Sequence, residues 1–246
     1  MADVSAARVP GPGPAGVPAT GTRRGLPWAA GILVLFWFAG FMAFLDSPAA
    51  QVLGDTVRIF YIHVSVAWLA GLAFLVNWAG SILYLFRRDM RIDRWAAVSA
   101  EIGEVFTTGV LLTGSIWARV AWNTWWTWDP RLTTALVMWF LYAAYLVLRG
   151  GITRPETRAV VSAVVGIVAF VDVPVVFLST RWWNSIHPVL GKGGGFPMTS
   201  HMLLAMFAML ASVSAFFIYL LRIRIRQETA RDALDEMRVA LRARFD

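Results

Sequence analysis

The stretch VRIFYIHVSVAWLAGLAFLVNWAGSILYLF, residues 57–86, has one charged side chain, Arg58, in 30 positions. A helix needs about 20 apolar residues to cross the hydrocarbon core of a bilayer, so this stretch predicts a membrane-spanning helix. The chain as a whole is 58% hydrophobic and 15% charged, whereas a soluble domain has about 25% charged residues. We therefore expect an all-α integral membrane protein, a bundle of six transmembrane helices, with further spans at 28–45, 97–118, 132–148, 159–180 and 201–221.

The distribution of basic residues predicts the orientation of these spans. Lys and Arg are enriched in short cytoplasmic loops. If both termini are cytoplasmic, 17 of the 22 Lys and Arg residues lie on the inside. The net charge of +7 is then explained by topology and lipid headgroups, and we expect no nucleic-acid partner. The five basic residues left outside are Arg58, Arg119, Arg131, Arg181 and Lys192.

The charge pattern also divides the chain into three parts. Residues 1–27, with PGPGPAG at 10–16, predict a disordered cytoplasmic tail. Residues 28–221 form the membrane domain, and residues 222–246 predict a charged, partly helical cytoplasmic tail. The first span is too long, and too far from the N-terminus, for a signal peptide. Since the chain has no cysteine, disulfides, thiolate metal sites and covalent haem attachment through C-x-x-C-H are excluded.

The second outer loop, residues 119–132, is unusually rich in tryptophan: WNTWWTWD at 122–129 has four within seven positions. An aromatic belt would place one or two tryptophans at each helix end, on both faces. The run therefore favours a platform for a flat apolar ligand, and the spacing of Trp122, Trp125 and Trp126 predicts a short interfacial helix. Asp129 and Pro130 predict the N-cap and first residue of the next helix. Arg131 suits either a ligand carboxylate or a lipid phosphate.

The three histidines, His63, His187 and His201, all fall on the predicted outer side. Neutral imidazole is a common axial ligand of haem iron. Their position beside the tryptophan-rich loop therefore predicts a metal or haem site. The residues alone leave the partner of His63 undecided.

Three motifs carry a resemblance to a known family. WNTWWTWDPRLT at 122–133 resembles the "WWD" signature of the haem-handling membrane proteins of cytochrome c maturation. RIFYIHV at 58–64 and RWWNSIHP at 181–188 resemble the histidine motifs on either side of that signature. With six spans, the chain resembles the haem exporter protein C (CcmC) family more than its larger relatives CcmF and CcsA.

The resemblance implies a b-type, non-covalently bound haem at the outer, periplasmic face of a bacterial cytoplasmic (inner) membrane. It implies that His63 and His187 are the axial ligands and that the segment Trp122–Arg131 is the platform. His201 has no place in the family pattern and is expected to be a hydrogen-bonded interfacial residue. The resemblance also implies delivery of haem to the chaperone CcmE, in a complex with the ABC-type subunits CcmA and CcmB and with CcmD. The predicted site residues are His63, His187, Trp122, Trp125, Trp126, Trp128, Asp129, Arg131, Arg58, Trp182 and Trp183.

We expect haem presentation without turnover chemistry on this chain. Arginines at the outer side, namely Arg58, Arg119, Arg131 or Arg181, would pair with the propionates. The glycine-rich tract 191–195 lacks the form of a phosphate loop, so ATP hydrolysis is expected from a partner. Two alternatives use the same features: a b-type electron-transfer subunit and a haem transporter permease.

Overall fold

The computed structural model describes residues 21–50, 54–187 and 198–245. Within this part of the chain, six helices are long and apolar enough to cross a membrane, which confirms the predicted all-α, six-span architecture. If each of the six crosses once, Gly21 and Phe245 lie on the same side of the membrane. The helices are α1 Gly21–Phe41, continued by a π-helical turn at Met42–Asp46, α2 Val57–Arg87, α3 Met90–Trp122, α4 Pro130–Gly151, α5 Pro155–Ala169, α6 Asp172–Trp182 and α7 Ser200–Phe245.

The predicted fifth span, 159–180, is interrupted at Phe170 and Val171, where α5 ends and α6 begins. Pro174 has no N–H to donate to the Phe170 carbonyl, and its ring clashes with that carbonyl in a continuous helix. Val173 N donates to Phe170 O instead, at 3.0 Å. Hydropathy gives no sign of this break because the residues on both sides of it are apolar.

A close helical hairpin of α2 and α3 forms the centre of the bundle. Arg88 ends α2 in the left-handed conformation (φ 55°), and Asp89 caps α3 by accepting from Arg91 N at 2.8 Å. Further along, a Cβ at Gly103 would come within 2.5 Å of the Phe74 ring. Phe74 in turn stacks on Tyr142 of α4, with ring centroids 3.5 Å apart.

The end of the bundle that contains the α2–α3 turn, called here the opposite end, is held by internal ion pairs. Arg149 of α4 donates to both carboxylate oxygens of the buried Asp93 of α3, at 2.9 and 2.6 Å. Arg224 of α7 donates to Glu101 of α3 at 2.8 Å. The predicted tail is a continuation of α7, which runs unbroken from Ser200 to Phe245.

Two predictions fall wholly or partly outside the described residues. Of the predicted N-terminal tail, residues 21–27 belong to α1, and residues 1–20 are not described. The glycine-rich tract 191–195 and Lys192 also lie outside the described residues.

Candidate functional site

Two adjoining cavities lie at the other end of the bundle, called here the histidine end. His63 and His187 line both of them, and so do Trp117 and Arg131. The cavity lined by Trp122 and Trp126 is called here the inner cavity, and the one lined by Arg181 the outer cavity. The outer cavity has a volume of about 350 Å³, within the range for small-molecule and cofactor sites. The walls come from α2, α3, α4 and α6 and from the loop that follows each of α3 and α6.

His63 lies in the second turn of α2, and its ring is fixed by α3. The His63 Nδ1 atom is 2.9 Å from Thr113 Oγ1, and Thr113 Oγ1 donates to the Gly109 carbonyl at 2.7 Å. A threonine hydroxyl has a single proton to donate, and we assign it to the Gly109 carbonyl, which can only accept and is the nearest partner. Nδ1 of His63 is therefore the donor to Thr113, and the lone pair of the neutral ring lies on Nε2. This is the tautomer that coordinates a metal through Nε2.

The absence of a side chain at Gly114 gives the His63 ring its place against α3. A Cβ at Gly114 would lie 3.2 Å from His63 Cε1, closer than ordinary van der Waals contact. Gly114 also lines the inner cavity. The glycine therefore lets the imidazole approach the α3 backbone at the point where Thr113 holds Nδ1.

His187 is positioned by Asp129, which joins the two loops at this end. Asp129 caps α4 by accepting from Arg131 N at 2.9 Å, as predicted for its N-cap role. Its carboxylate also accepts from Ser185 Oγ and from Ile186 N, both at 2.9 Å. The predicted site residue Asp129 is thus buried and committed to three donors, and it does not line either cavity.

The tryptophan-rich loop is not helical, so the predicted short interfacial helix is wrong. Trp122 is the last residue of α3, and Asn123 ends the helix in the left-handed conformation, with φ 58°. Residues 124–129 then form no regular structure before α4 begins at Pro130. Spacing alone misled the prediction because Asn readily ends a helix in the left-handed conformation.

The tryptophans of this segment therefore fall into two groups, one that lines a cavity and one that is exposed. Trp122 and Trp126 line the inner cavity. Trp125 and Trp128 are 60% and 76% exposed and line neither cavity. The predicted residues Trp182 and Trp183, at the end of α6, are also largely exposed and outside the cavity walls.

The four arginines of this end also divide into two groups. Arg131 lines both cavities and Arg181 lines the outer one. Arg58, by contrast, is bound to Asp55 and to the Phe44 carbonyl. Arg119 donates to the carbonyl and side chain of Asn123 at 2.7 Å. Only Arg131 and Arg181 line the cavities that contain the two histidines.

Sequence reasoning missed three residues of this site. Trp117 is 8% exposed, with its ring centroid 4.9 Å from that of Trp122 and 6.1 Å from that of His187. The buried Trp117 Nε1 has no hydrogen-bond partner among the described residues. The other two, Thr113 and Gly114, meet His63 only because α2 and α3 pair along their length, which no local pattern reveals.

The donor set suits a metal held in a planar macrocycle better than a bare ion. No group of three or more His, Cys, Asp or Glu side chains that could hold a metal occurs among the described residues. The two imidazoles could supply two ligands to a metal ion, and the three indole rings beside them supply none. The other coordination positions of the metal would have to be filled by the macrocycle that carries it. Haem iron with two axial histidines has this requirement.

Comparison with known proteins gives one consistent result. The family model "Heme exporter protein C" matches residues 17–240. A Heme exporter protein C from Bradyrhizobium diazoefficiens is 32% identical over 85% of this chain and 81% of its own length. One from Escherichia coli is 34% identical over 66% of each chain. A putative cytochrome c biosynthesis ccmC-like mitochondrial protein from Marchantia polymorpha is 31% identical over 74% of this chain and 80% of its own length.

Proposed function

Because the chain belongs to the heme exporter protein C family, we propose that it holds b-type haem non-covalently and presents it to the haem chaperone CcmE. In this proposal His63 and His187 are the axial ligands, at the outer face of a bacterial cytoplasmic membrane. One observation carries the proposal: two histidines from separate elements line the same cavities. The hydrogen bond from His63 to Thr113 adds support, because it leaves Nε2 with its lone pair.

The chain's own residues would hold and orient the haem. Trp117, Trp122 and Trp126 offer indole faces to the macrocycle, and the buried Trp117 Nε1 adds a polar atom. Arg131 and Arg181 would pair with the propionates by charge-assisted hydrogen bonds. The site needs no group for turnover chemistry. ATP hydrolysis would come from a complex of the subunits CcmA, CcmB and CcmD.

The orientation rests on the basic residues. Among the described residues, four of the 20 Lys and Arg residues belong to the histidine end, namely Arg58, Arg119, Arg131 and Arg181, and the other 16 belong to the opposite end. By the positive-inside rule, the histidine end then faces the periplasm, where an acceptor such as CcmE would collect haem.

The axial ligands are tested by the absorption spectra of purified His63→Ala and His187→Ala proteins. We expect each to lose the bis-histidine haem spectrum. The matched control is His201→Ala, because His201 is paired with Asp46 at 2.6 Å and lines neither cavity. It should keep the spectrum. Unaltered haem spectra in both cavity variants would exclude this pair of ligands.

Delivery is tested by reconstitution with a haem-free CcmE. Wild-type protein should pass haem to CcmE in the presence of the ABC-type subunits and ATP, measured as covalent haem on CcmE. His201→Ala should do the same, and the two cavity variants should not. Haem that stays on the wild-type chain, and is instead rapidly and reversibly reduced by a quinol, would point to electron transfer and against delivery.

A further inference from the structure

The break between α5 and α6 changes the neighbours of the chain within one span. α5 packs against both α2 and α4, whereas α6 stays against α4 and makes fewer backbone contacts with α2. The change of direction occurs at Phe170 and Val171, where Pro174 ends the helical hydrogen-bond pattern. A cleft of about 480 Å³ therefore lies along α2 beside the broken span.

Every residue that lines this cleft is apolar. The exposed ones among them, such as Trp68 at 58% and Leu72 at 45%, belong to spans and would face lipid. A cleft of this kind admits an apolar body from the bilayer without burying a charge, which would be costly. The lining residues are Trp68, Gly71, Leu72, Leu75, Phe170, Val173, Pro174, Phe177 and Leu178.

The cleft is continuous with the histidine cavities. It shares Trp68, Phe177 and Leu178 with the outer cavity, and Gly71 and Phe177 with the inner one. Phe177 is common to all three spaces. A ligand with an apolar body could therefore reach the histidines from the cleft without leaving the protein wall.

Phe177 forms the boundary between the cleft and the charged side of the site. Its ring centroid is 5.6 Å from that of Trp68, and the Arg131 guanidinium carbon lies 5.9 Å from the same centroid. A Cβ at Gly71 would be 3.2 Å from the Phe177 ring, so the glycine provides the room that the ring occupies. Phe177 is therefore the side chain that lies between the cleft and the two cavities.

We propose that the cleft between α2 and α6 is the route by which haem exchanges sideways between the bilayer and the two histidines, with Phe177 as its gate. This inference rests on the proposed haem-binding function. Haem fits the route because its macrocycle is flat and largely apolar, while its carboxylates find Arg131 and Arg181 only on the histidine side of the gate. A partner helix would have no use for that charged inner end, and a lipid with its chain in the cleft and its phosphate near Arg131 is distinguished from haem by the experiment below.

The natural absence of cysteine allows the route to be closed reversibly. In a Trp68→Cys/Leu178→Cys protein, the only two thiols lie on α2 and α6 at the mouth of the cleft. Haem-free protein in nanodiscs is linked with a cleavable bis-methanethiosulfonate reagent and mixed with vesicles containing hemin. The rise of the haem absorption band then gives the loading rate. The two single-cysteine proteins, treated with the same reagent, are the matched controls.

We expect the link to slow loading at least about tenfold, a rise of ~1.4 kcal/mol in the barrier, and reduction of the reagent to restore it. Protein loaded before linking should keep its spectrum and release haem to acceptor vesicles more slowly. Phe177→Ala should load faster than wild type, the reverse of what a folding defect would cause.

Equal loading rates before and after linking would overturn the route and would assign the cleft to a lipid chain or a partner helix. Loss of the spectrum from preloaded, linked protein would also overturn it, by showing that the cleft is a wall of the site. Failure of the proposed function looks different. In that case wild-type protein would acquire no haem spectrum from vesicles or from an aqueous donor, whether or not a link is present.

Discussion

Both ends of the bundle have arginines close to helix ends, but the arginines have different partners at the two ends. At the opposite end, Arg149 is matched by the buried carboxylate of Asp93, and Arg224 by Glu101. At the histidine end, Arg131 and Arg181 form no ion pair among the described residues, although both line the cavity. Arg181 is exposed, whereas Arg131 is partly buried and its neighbouring carboxylate, Asp129, is already engaged by three other donors. A bound anion would therefore add to the charge compensation of Arg131. The comparison separates an end that is held by internal ion pairs from one whose cavity arginines are left for the anionic ligand of the proposed function.

The largest expected effect comes from breaking the opposite end with Arg149→Leu. This leaves the Asp93 carboxylate buried without its partner, which typically costs about 3–5 kcal/mol. We expect that loss in the free energy of unfolding in detergent, with an unchanged haem spectrum in the folded fraction. Arg94→Leu is the control, because its pair with Asp232 is partly exposed and worth about 1 kcal/mol or less. If Arg149→Leu lost haem binding but kept its stability, the two ends of the bundle would not have separate roles.

The second-largest effect is expected on haem affinity, when two helix-capping aspartates, one at each end of the bundle, are replaced. Asp129→Ala removes a cap, worth about 1 kcal/mol, and also the two hydrogen bonds to Ser185 and Ile186 before His187. We expect haem affinity to fall about 100-fold, or ~2.7 kcal/mol, in a haem titration. Asp89→Ala removes only the cap of α3 and should leave affinity unchanged. Equal affinities for the two variants would refute the positioning of His187 by Asp129.

A smaller effect is expected when the hydrogen bond to His63 is removed. Thr113→Val should lower haem affinity about tenfold, the lower limit for groups that support a metal ligand. The midpoint potential should rise, since a less electron-donating imidazole stabilises iron(III) less. In haem-free protein, nitrogen chemical shifts of His63 should show the Nδ1–H tautomer in wild type and Thr113→Ser, and a mixture in Thr113→Val. Thr107→Val, which loses the same kind of bond to its own helix, is the control and should match wild type.

The smallest effect is expected at Gly114. Gly114→Ala places a methyl group 3.2 Å from His63 Cε1, so the ring must shift by a few tenths of an ångström. We expect haem affinity to fall about threefold, or ~0.7 kcal/mol. Gly109→Ala, on the same helix with nothing within 4 Å of the added Cβ, should have no effect. A loss of affinity equal in both variants would mean that helix α3, and not the His63 contact, is responsible.

The spans and the cap of α4 could be predicted because each depends on residues close together in sequence. Twenty apolar positions identify a span, and the order Asp129-Pro130 identifies a helix start. The break at Phe170 was missed because apolar residues on both sides hide it from hydropathy. The tryptophan loop was misassigned as helical because one residue, Asn123, in the left-handed conformation outweighs favourable spacing.

The candidate site was predictable only in its two histidines and part of its walls. His63, His187, Trp122, Trp126 and Arg131 stand in recognisable motifs, and all of them line the cavities. The contact of Thr113 with His63 depends on the pairing of two long helices. The sequence alone does not show that α2 and α3 pair, so it gives no reason to connect Thr113 with His63.

The hydrogen bonds from His63 through Thr113 to Gly109 have a consequence for the ligand field of a bound iron. Hydrogen bonds in series polarise one another, so electron density at Nε2 depends on how strongly the Gly109 carbonyl draws the threonine proton. That strength varies with the local curvature of α3, since the same carbonyl belongs to the helical ladder. In the proposed site, a bend in α3 would therefore alter the electron donation of His63, which lies on a different helix, without moving the histidine itself.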